Sequence, residues 1–315
     1  MRARRSVVVT ARVHPGESNA SWVMKGMLDY LTGSSLDARI LRDNFVFKII
    51  PMLNPDGVIV GNYRCSLAGQ DLNRLWDDPS RKMHPTIFFA KSMFGQLLED
   101  REVILYIDIH GHSRKKNVFM YGNSEGGNVR EKIFPGLLCR SSDCFSFDDC
   151  CFKIQKSKES TARVVAYKDL SVPNSFTLEA SFCGADFGPL ADQHFTTRHL
   201  EEMGCMLCDA ILDYCDPDQT KVMQVVKELQ QRYADDGNSD DVSDSEDDRG
   251  PNRARRRTQK AKKVKKKQAK PELPAPVSRA VTESAEVDGS DVSARGAAPA
   301  EPPGRGNRVR RSWRS

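Results

Sequence analysis

The chain has 315 residues, enough for one large or two small domains, and its net charge of +5 averages opposed blocks, which excludes a uniformly basic surface. No apolar run approaches the roughly 20 residues that cross a bilayer, and the apolar run at 7–9 is too short for a secretory signal. Nine cysteines, an odd number with no such signal before them, read as reduced thiols rather than as a disulfide framework.

Residues 6–13 (SVVVTARV) are β-branched and bounded by His14-Pro15-Gly16, which predicts a buried strand and a tight turn. In 18–31, Trp22, Met24, Met27, Leu28 and Leu31 recur at helical spacing, and Gly33 ends the pattern. A second apolar strand is predicted over 45–53 (FVFKIIPML), closed by the turn signal Asn54-Pro55-Asp56-Gly57. Residues 85–98 read as a helix, 103–109 (VILYIDI) as a third strand ending at His110-Gly111-His112, 118–121 as a fourth and 175–180 (SFTLEA) as a fifth. Residues 195–214 close the pattern as an amphipathic helix. Strands alternating with helices predict an α/β fold with a mixed, largely parallel central sheet flanked by helices, and open sheets of that kind place their sites just past strand ends.

Beyond about residue 230 large apolar side chains thin out. Residues 235–248 hold eight acidic and no basic residues, and 253–270 hold eleven basic and no acidic ones. The chain therefore divides into a globular domain over 1–217, a helical extension over 218–234 and a disordered, acidic then basic tail over 235–315.

His14 and Glu17 stand three residues apart on the turn after the first strand, where both can reach one ion, and His110 ends a strand apolar enough to be central. Two histidines and one carboxylate with an open fourth position form a catalytic zinc pattern. Taken singly, H-x-x-E is also a common surface pair, and His110 is also a plain strand-end histidine. Cys205-x-x-Cys208 has no second pair at zinc spacing and lies in a helical stretch, so it reads as ordinary buried thiols.

The motifs HPGE, NPDG, DLNR, HGHS and TLEASF follow one another in the order that resembles the zinc metallocarboxypeptidases. The longer strings ARVHPGESNASWVMKG, IPMLNPDGVIVGNYRCSLAGQDLNR and HGHSRKKNVFMYGN resemble the cytosolic carboxypeptidase branch, whose members shorten glutamate tails on tubulin and other proteins. The likeness runs over about 6–217. It implies a zinc carboxypeptidase-like fold and one Zn2+ per chain, held by His14, Glu17 and His110. It implies Glu179 as general base, Arg64 polarising the scissile carbonyl, and Asn73 with Arg74 gripping the terminal carboxylate. The segment KSKESTARVV resembles the one that lines the specificity pocket, which makes Arg163 the expected partner of a substrate glutamate, with Thr161 nearby; a surface arginine at a strand start is the other reading. His112 is expected to play either a supporting role behind the ligands or a structural one.

The resemblance also implies partners, namely glutamate-rich protein tails such as those of tubulin in microtubules. It implies a cytoplasmic location, at the cytoskeleton, centriole or cilium. Family members carry further strands and a β-rich domain upstream, so the chain is expected to be N-terminally truncated, with an exposed pairing edge. A truncated, inactive tail-binding protein of the same fold is the competing reading. The basic run at 253–270 offers nuclear import or weak polyanion contact, but no aromatic residue interleaves it, which argues against base stacking and specific nucleic-acid binding.

Overall fold

The computed structural model of the protein describes residues 4–124 and 129–235. Five strands form one sheet in the order β2-β1-β3-β5-β4: β1 (Arg5–Ala11), β2 (Phe45–Ile50), β3 (Val103–His112), β4 (Val118–Tyr121) and β5 (Ser175–Ser181). All neighbours are parallel except β4, which runs antiparallel to β5, so the sheet is mixed and largely parallel. Strands β3 and β5 are buried throughout; β3 is accordingly apolar from Val103 to Ile107, while β5 alternates apolar residues with Ser175, Thr177, Glu179 and Ser181.

Helices cover both faces. Helix α1 (Ser18–Thr32) packs on β1, β3 and β5 and against α7 (Thr197–Cys215). The two helices meet backbone to backbone. A Cβ on Gly26 would lie 1.9 Å from the carbonyl oxygen of Glu201, and one on Gly204 would lie 2.1 Å from that of Val23. On the other face, α4 (Pro85–Asp100) and α6 (Ala162–Lys168) bury Ile87, Phe94, Val165 and Trp76 against Val8 and Tyr106. Each such side chain contributes about 1.5–3 kcal/mol. Helix α8 (Thr220–Asp235) sets Val222, Val225 and Leu229 on Leu137 of α5 (Ile133–Ser141).

The structure corrects several boundaries. Strand β3 runs on through His110 and His112 rather than ending before them. Strand β2 stops at Ile50, and Asn54-Pro55-Asp56-Gly57 opens a short helix, α3 (Pro55–Val60), instead of a bare turn. Asn54 caps it by accepting the Gly57 N–H at 3.0 Å, and Pro55 occupies the first helical turn. Helix α2 (Leu36–Asn44), capped by Ser35, and α5 are further elements. Residues 162–168 are helical, so Arg163 does not begin a strand. Strand β2 is an outer strand with Val46, Phe47, Ile49 and Ile50 half-buried. Among the described residues no helix is long and apolar enough to cross a membrane. The acidic and basic runs, including 253–270, lie outside the described residues from 236 onward.

Candidate metal centre

Strand β1 delivers the chain to a pinned turn. Arg12, in the left-handed region at φ 58°, donates to the Pro15 carbonyl at 2.7 Å and to Ser21 Oγ at 2.6 Å. The Gly16 N–H donates to the Tyr63 carbonyl at 2.7 Å, and a Cβ at Gly16 would lie 2.3 Å from the Tyr63 ring, so glycine is required there. Glu17 then caps α1. His14 and Glu17 thus project from one rigid turn at the rim of the central strands.

Register brings the third group. Strand β3 pairs with β1 so that Thr10 lies opposite Asp108, which carries His110 to the same rim. His14 Nδ1 lies 2.7 Å from Glu17 Oε1, His110 Nδ1 lies 2.9 Å from Glu17 Oε2, and the two Nδ1 atoms are 3.2 Å apart. All three side chains are buried, and among the described residues they form the one group of metal-capable side chains.

The far side of each ring is held by a carboxylate. His14 Nε2 lies 3.1 Å from Asp71 Oδ1, and His110 Nε2 lies 2.8 Å from Asp108 Oδ2. Asp108 accepts from Thr10 Oγ1 at 2.6 Å, and Thr10 Oγ1 is 2.8 Å from the Tyr106 hydroxyl. Both imidazoles are therefore turned so that Nδ1 faces inward. Burial alone would push the Glu17 carboxyl up, but His110 and His14 hold it well below the usual carboxylate range. Burial would likewise depress the His110 imidazolium, yet Asp108 and Glu17 raise it well above its ordinary value. The cluster is a pre-formed nest for positive charge.

Those dimensions fit zinc. Tetrahedral bonds of about 2.0–2.1 Å place ligand atoms roughly 3.3 Å apart, close to the separations in the trio, and the donors are the nitrogen and oxygen types that zinc takes. The backing carboxylates predict a graded effect. Asp71→Asn and Asp108→Asn are each expected to weaken zinc affinity by about 10–100-fold, measured by competition with a fluorescent chelator.

The remaining residues surround this cluster. Glu179 is buried in β5, directly opposite His110 in one register and opposite Phe119 of β4 in the other. Adjacent strands are about 4.8 Å apart, so its carboxylate shares a face with the His110 imidazole. Asn73 is buried, with Nδ2 3.4 Å from His110 Nε2 and Oδ1 accepting the Ala162 N–H at 2.9 Å. Arg64 donates through Nε to Asp71 Oδ2 at 2.8 Å, and Arg74 donates to the Asn73 carbonyl at 3.0 Å. Both guanidinium groups remain partly exposed. Burial would raise the Asp71 carboxyl, but His14, Arg64 and Arg74 hold it far below its ordinary range.

Arg163 is 3 % exposed, not a surface residue, and donates to Asn123 Oδ1 at 3.0 Å and to the Gly122 carbonyl. Ser175, on the same strand face as Glu179, donates through Oγ to the Arg163 carbonyl at 2.7 Å. Thr161, just before Arg163, is buried and donates to the Lys158 carbonyl. His112 stands outside the metal trio. Its Nδ1 accepts the N–H groups of Arg114 and Lys115 at 3.2 and 2.9 Å, shaping the turn after β3. Cys205 and Cys208 donate weakly to the carbonyls of Gly26 and Met27 and join no metal-capable group.

Sequence reasoning missed Asp71 and Asp108. Asp108 left a signal: a carboxylate inside an otherwise apolar central strand, two residues before a histidine.

The family model of zinc carboxypeptidases matches residues 1–143. Cytosolic carboxypeptidase 3 of Bos taurus is 55% identical over 235 residues, covering 72% of this chain and 23% of that protein. Cytosolic carboxypeptidase 2 of Mus musculus is 53% identical over 233 residues, covering 73% and 27%. A metallo-carboxypeptidase from Burkholderia cenocepacia shares the fold with a TM-score of 0.58 at 25% identity, over 67% of this chain and 56% of that one. The chain belongs to the zinc carboxypeptidase family, and that family implies Zn2+, which the His14, Glu17 and His110 trio could hold. It spans about a quarter of the length of the curated relatives it matches.

Proposed function

We propose that the protein is a zinc metallocarboxypeptidase that removes C-terminal or side-chain-linked glutamates from acidic protein tails, tubulin among them, in the cytoplasm and at the cytoskeleton. The observation that carries this reading is the buried trio with Glu179 at its side and a buried guanidinium, Arg163, on the same face. The names of the curated relatives support a cytosolic carboxypeptidase.

When bound, zinc lowers the pKa of a water to about 7 and polarises a carbonyl. Glu179 accepts the proton of the attacking water and passes it to the leaving amine. Arg64, held in place through Asp71, donates to the carbonyl oxygen as charge builds there. Asn73 and Arg74 present an amide and a guanidinium fork to the free carboxylate of the substrate. Arg163 supplies the counter-charge for a terminal glutamate side chain.

The test is mass-spectrometric. The zinc-loaded chain is expected to shorten a glutamate-tailed peptide one residue at a time, with the same trimming on tubulin. Arg163→Leu is expected to reduce kcat/KM for a Glu-ended peptide by about 10–100-fold relative to a Phe-ended one, the loss of one charge-assisted pair. An unchanged preference removes Arg163 from the reading, and no trimming by the wild type removes the activity itself.

A further inference from the structure

We propose that the last turn of α8, through Tyr233, is a positioning element for Arg163, so that a helix outside the metal-capable cluster sets how strongly the site prefers a terminal glutamate. The inference deepens the carboxypeptidase reading above and rests on the role given there to Arg163.

The cradle of the guanidinium comes first. Arg163 donates to the Gly122 carbonyl and to Asn123 Oδ1, so both oxygens lie on the segment that follows β4. Asn123 Nδ2 donates in turn to the Ser175 carbonyl at 2.9 Å. The same segment is tied to residues 151–152. The Gly122 N–H donates to the Cys151 carbonyl at 3.0 Å, and the Ser124 N–H to the Phe152 carbonyl at 2.8 Å. A Cβ at Gly122 would lie 2.6 Å from the Phe152 ring, so ring and backbone touch with no slack. A shift of Phe152 therefore moves the two oxygens that aim Arg163.

Helix α8 reaches Phe152 through Lys132. That lysine is fully buried, and its Nζ lies 5.5 Å from the Phe152 centroid and 3.9 Å from that of Tyr233. The ammonium thus links the two rings, and burial strengthens each of those attractions. Arg232 makes a second grip. Its guanidinium sits 5.0 Å from the centroid of Phe147 and pairs with Asp148, and the Phe147 ring lies 6.0 Å from that of Phe152. Val222, Val225 and Leu229 seat the helix on Leu137. Without the Tyr233 ring, one side of a buried ammonium opens to water, and the lysine is expected to turn outward and leave Phe152 unbacked.

The experiment compares Glu-ended and Phe-ended peptides on the zinc-loaded full chain. Tyr233→Leu is expected to lower the Glu-over-Phe ratio of kcat/KM by about three- to tenfold, through KM for the Glu-ended peptide and with kcat unchanged, while Tyr233→Phe, which keeps the ring, retains it. Lys132→Met is expected to reproduce the drop. In an Arg163→Leu background, Tyr233→Leu is expected to change the ratio no further, because the two act on one group. A wild-type ratio in Tyr233→Leu overturns the proposal, as does a full additional loss in the double variant, or an equal loss on both peptides with a lowered melting temperature. A readout without substrate separates the coupling from the reading beneath it. The arginine Nε–Hε NMR signal that disappears in Arg163→Leu is expected to shift in Tyr233→Leu and to stay in place in Tyr233→Phe. If the wild type shows no glutamate preference, a shifted signal still supports the coupling, and an unmoved one sinks it.

Discussion

Replacing Glu179 with glutamine is expected to lower kcat/KM for release of a terminal glutamate by about 10²–10⁴-fold while leaving one zinc per chain, because general acid–base catalysis contributes on that order. The substitution keeps the shape of a fully packed position in β5, so the strand register and the His110 neighbour survive. Glu179 lies outside the metal-capable trio, which is why metal content separates loss of proton transfer from loss of the centre. Metal analysis and a continuous glutamate-release assay on one preparation check both halves. A variant within about twofold of wild type would remove Glu179 from the chemistry.

The second large effect concerns the centre itself. His110→Ala is expected to bring zinc content close to zero after dialysis against a weak chelator, since two of three ligands cannot close the site. It is also expected to destabilise the metal-free chain by about 3–5 kcal/mol, the range for removing one partner of a buried charge pair. The reason is visible in the wiring: without the imidazole, Glu17 and Asp108 face each other's space with no cation between them. Thermal melts of wild type and variant in excess chelator isolate this part from the loss of zinc. A variant that melts with wild type under those conditions would show that the charge relay contributes nothing to the fold.

Much of this was legible in the letters. Continuous apolar runs announced β1 and β3, because strands covered on both faces have no polar side to show, whereas β5 alternates, with Ser175, Thr177, Glu179 and Ser181 on one face. The ordered motifs singled out His14, Glu17 and His110, which the fold brings together. What stayed hidden depended on register and on depth. Asp108 backs the His110 ring only because β1 and β3 align Thr10 with it, and no local pattern encodes that alignment. Asp71 reaches His14 from 57 residues away. Asn54-Pro55-Asp56-Gly57 misled because an Asn-Pro start serves a turn and a helix cap equally well. Arg163 sits in a polar run that looks solvated; its burial is bearable because Gly122 and Asn123 supply oxygens that only the folded chain assembles.

The glycine contact between α1 and α7 governs more than helix spacing. Glu17 sits at the N-cap position of α1, and Gly26 lies nine residues along the same rod, about 13 Å at 1.5 Å per residue. Whatever pushes the middle of that rod outward must drag its tip. Two absent methyl groups, at Gly26 and Gly204, thus act as the shim that sets where Glu17 stands, and a cluster buried at the sheet rim is tuned by a helix crossing far below it.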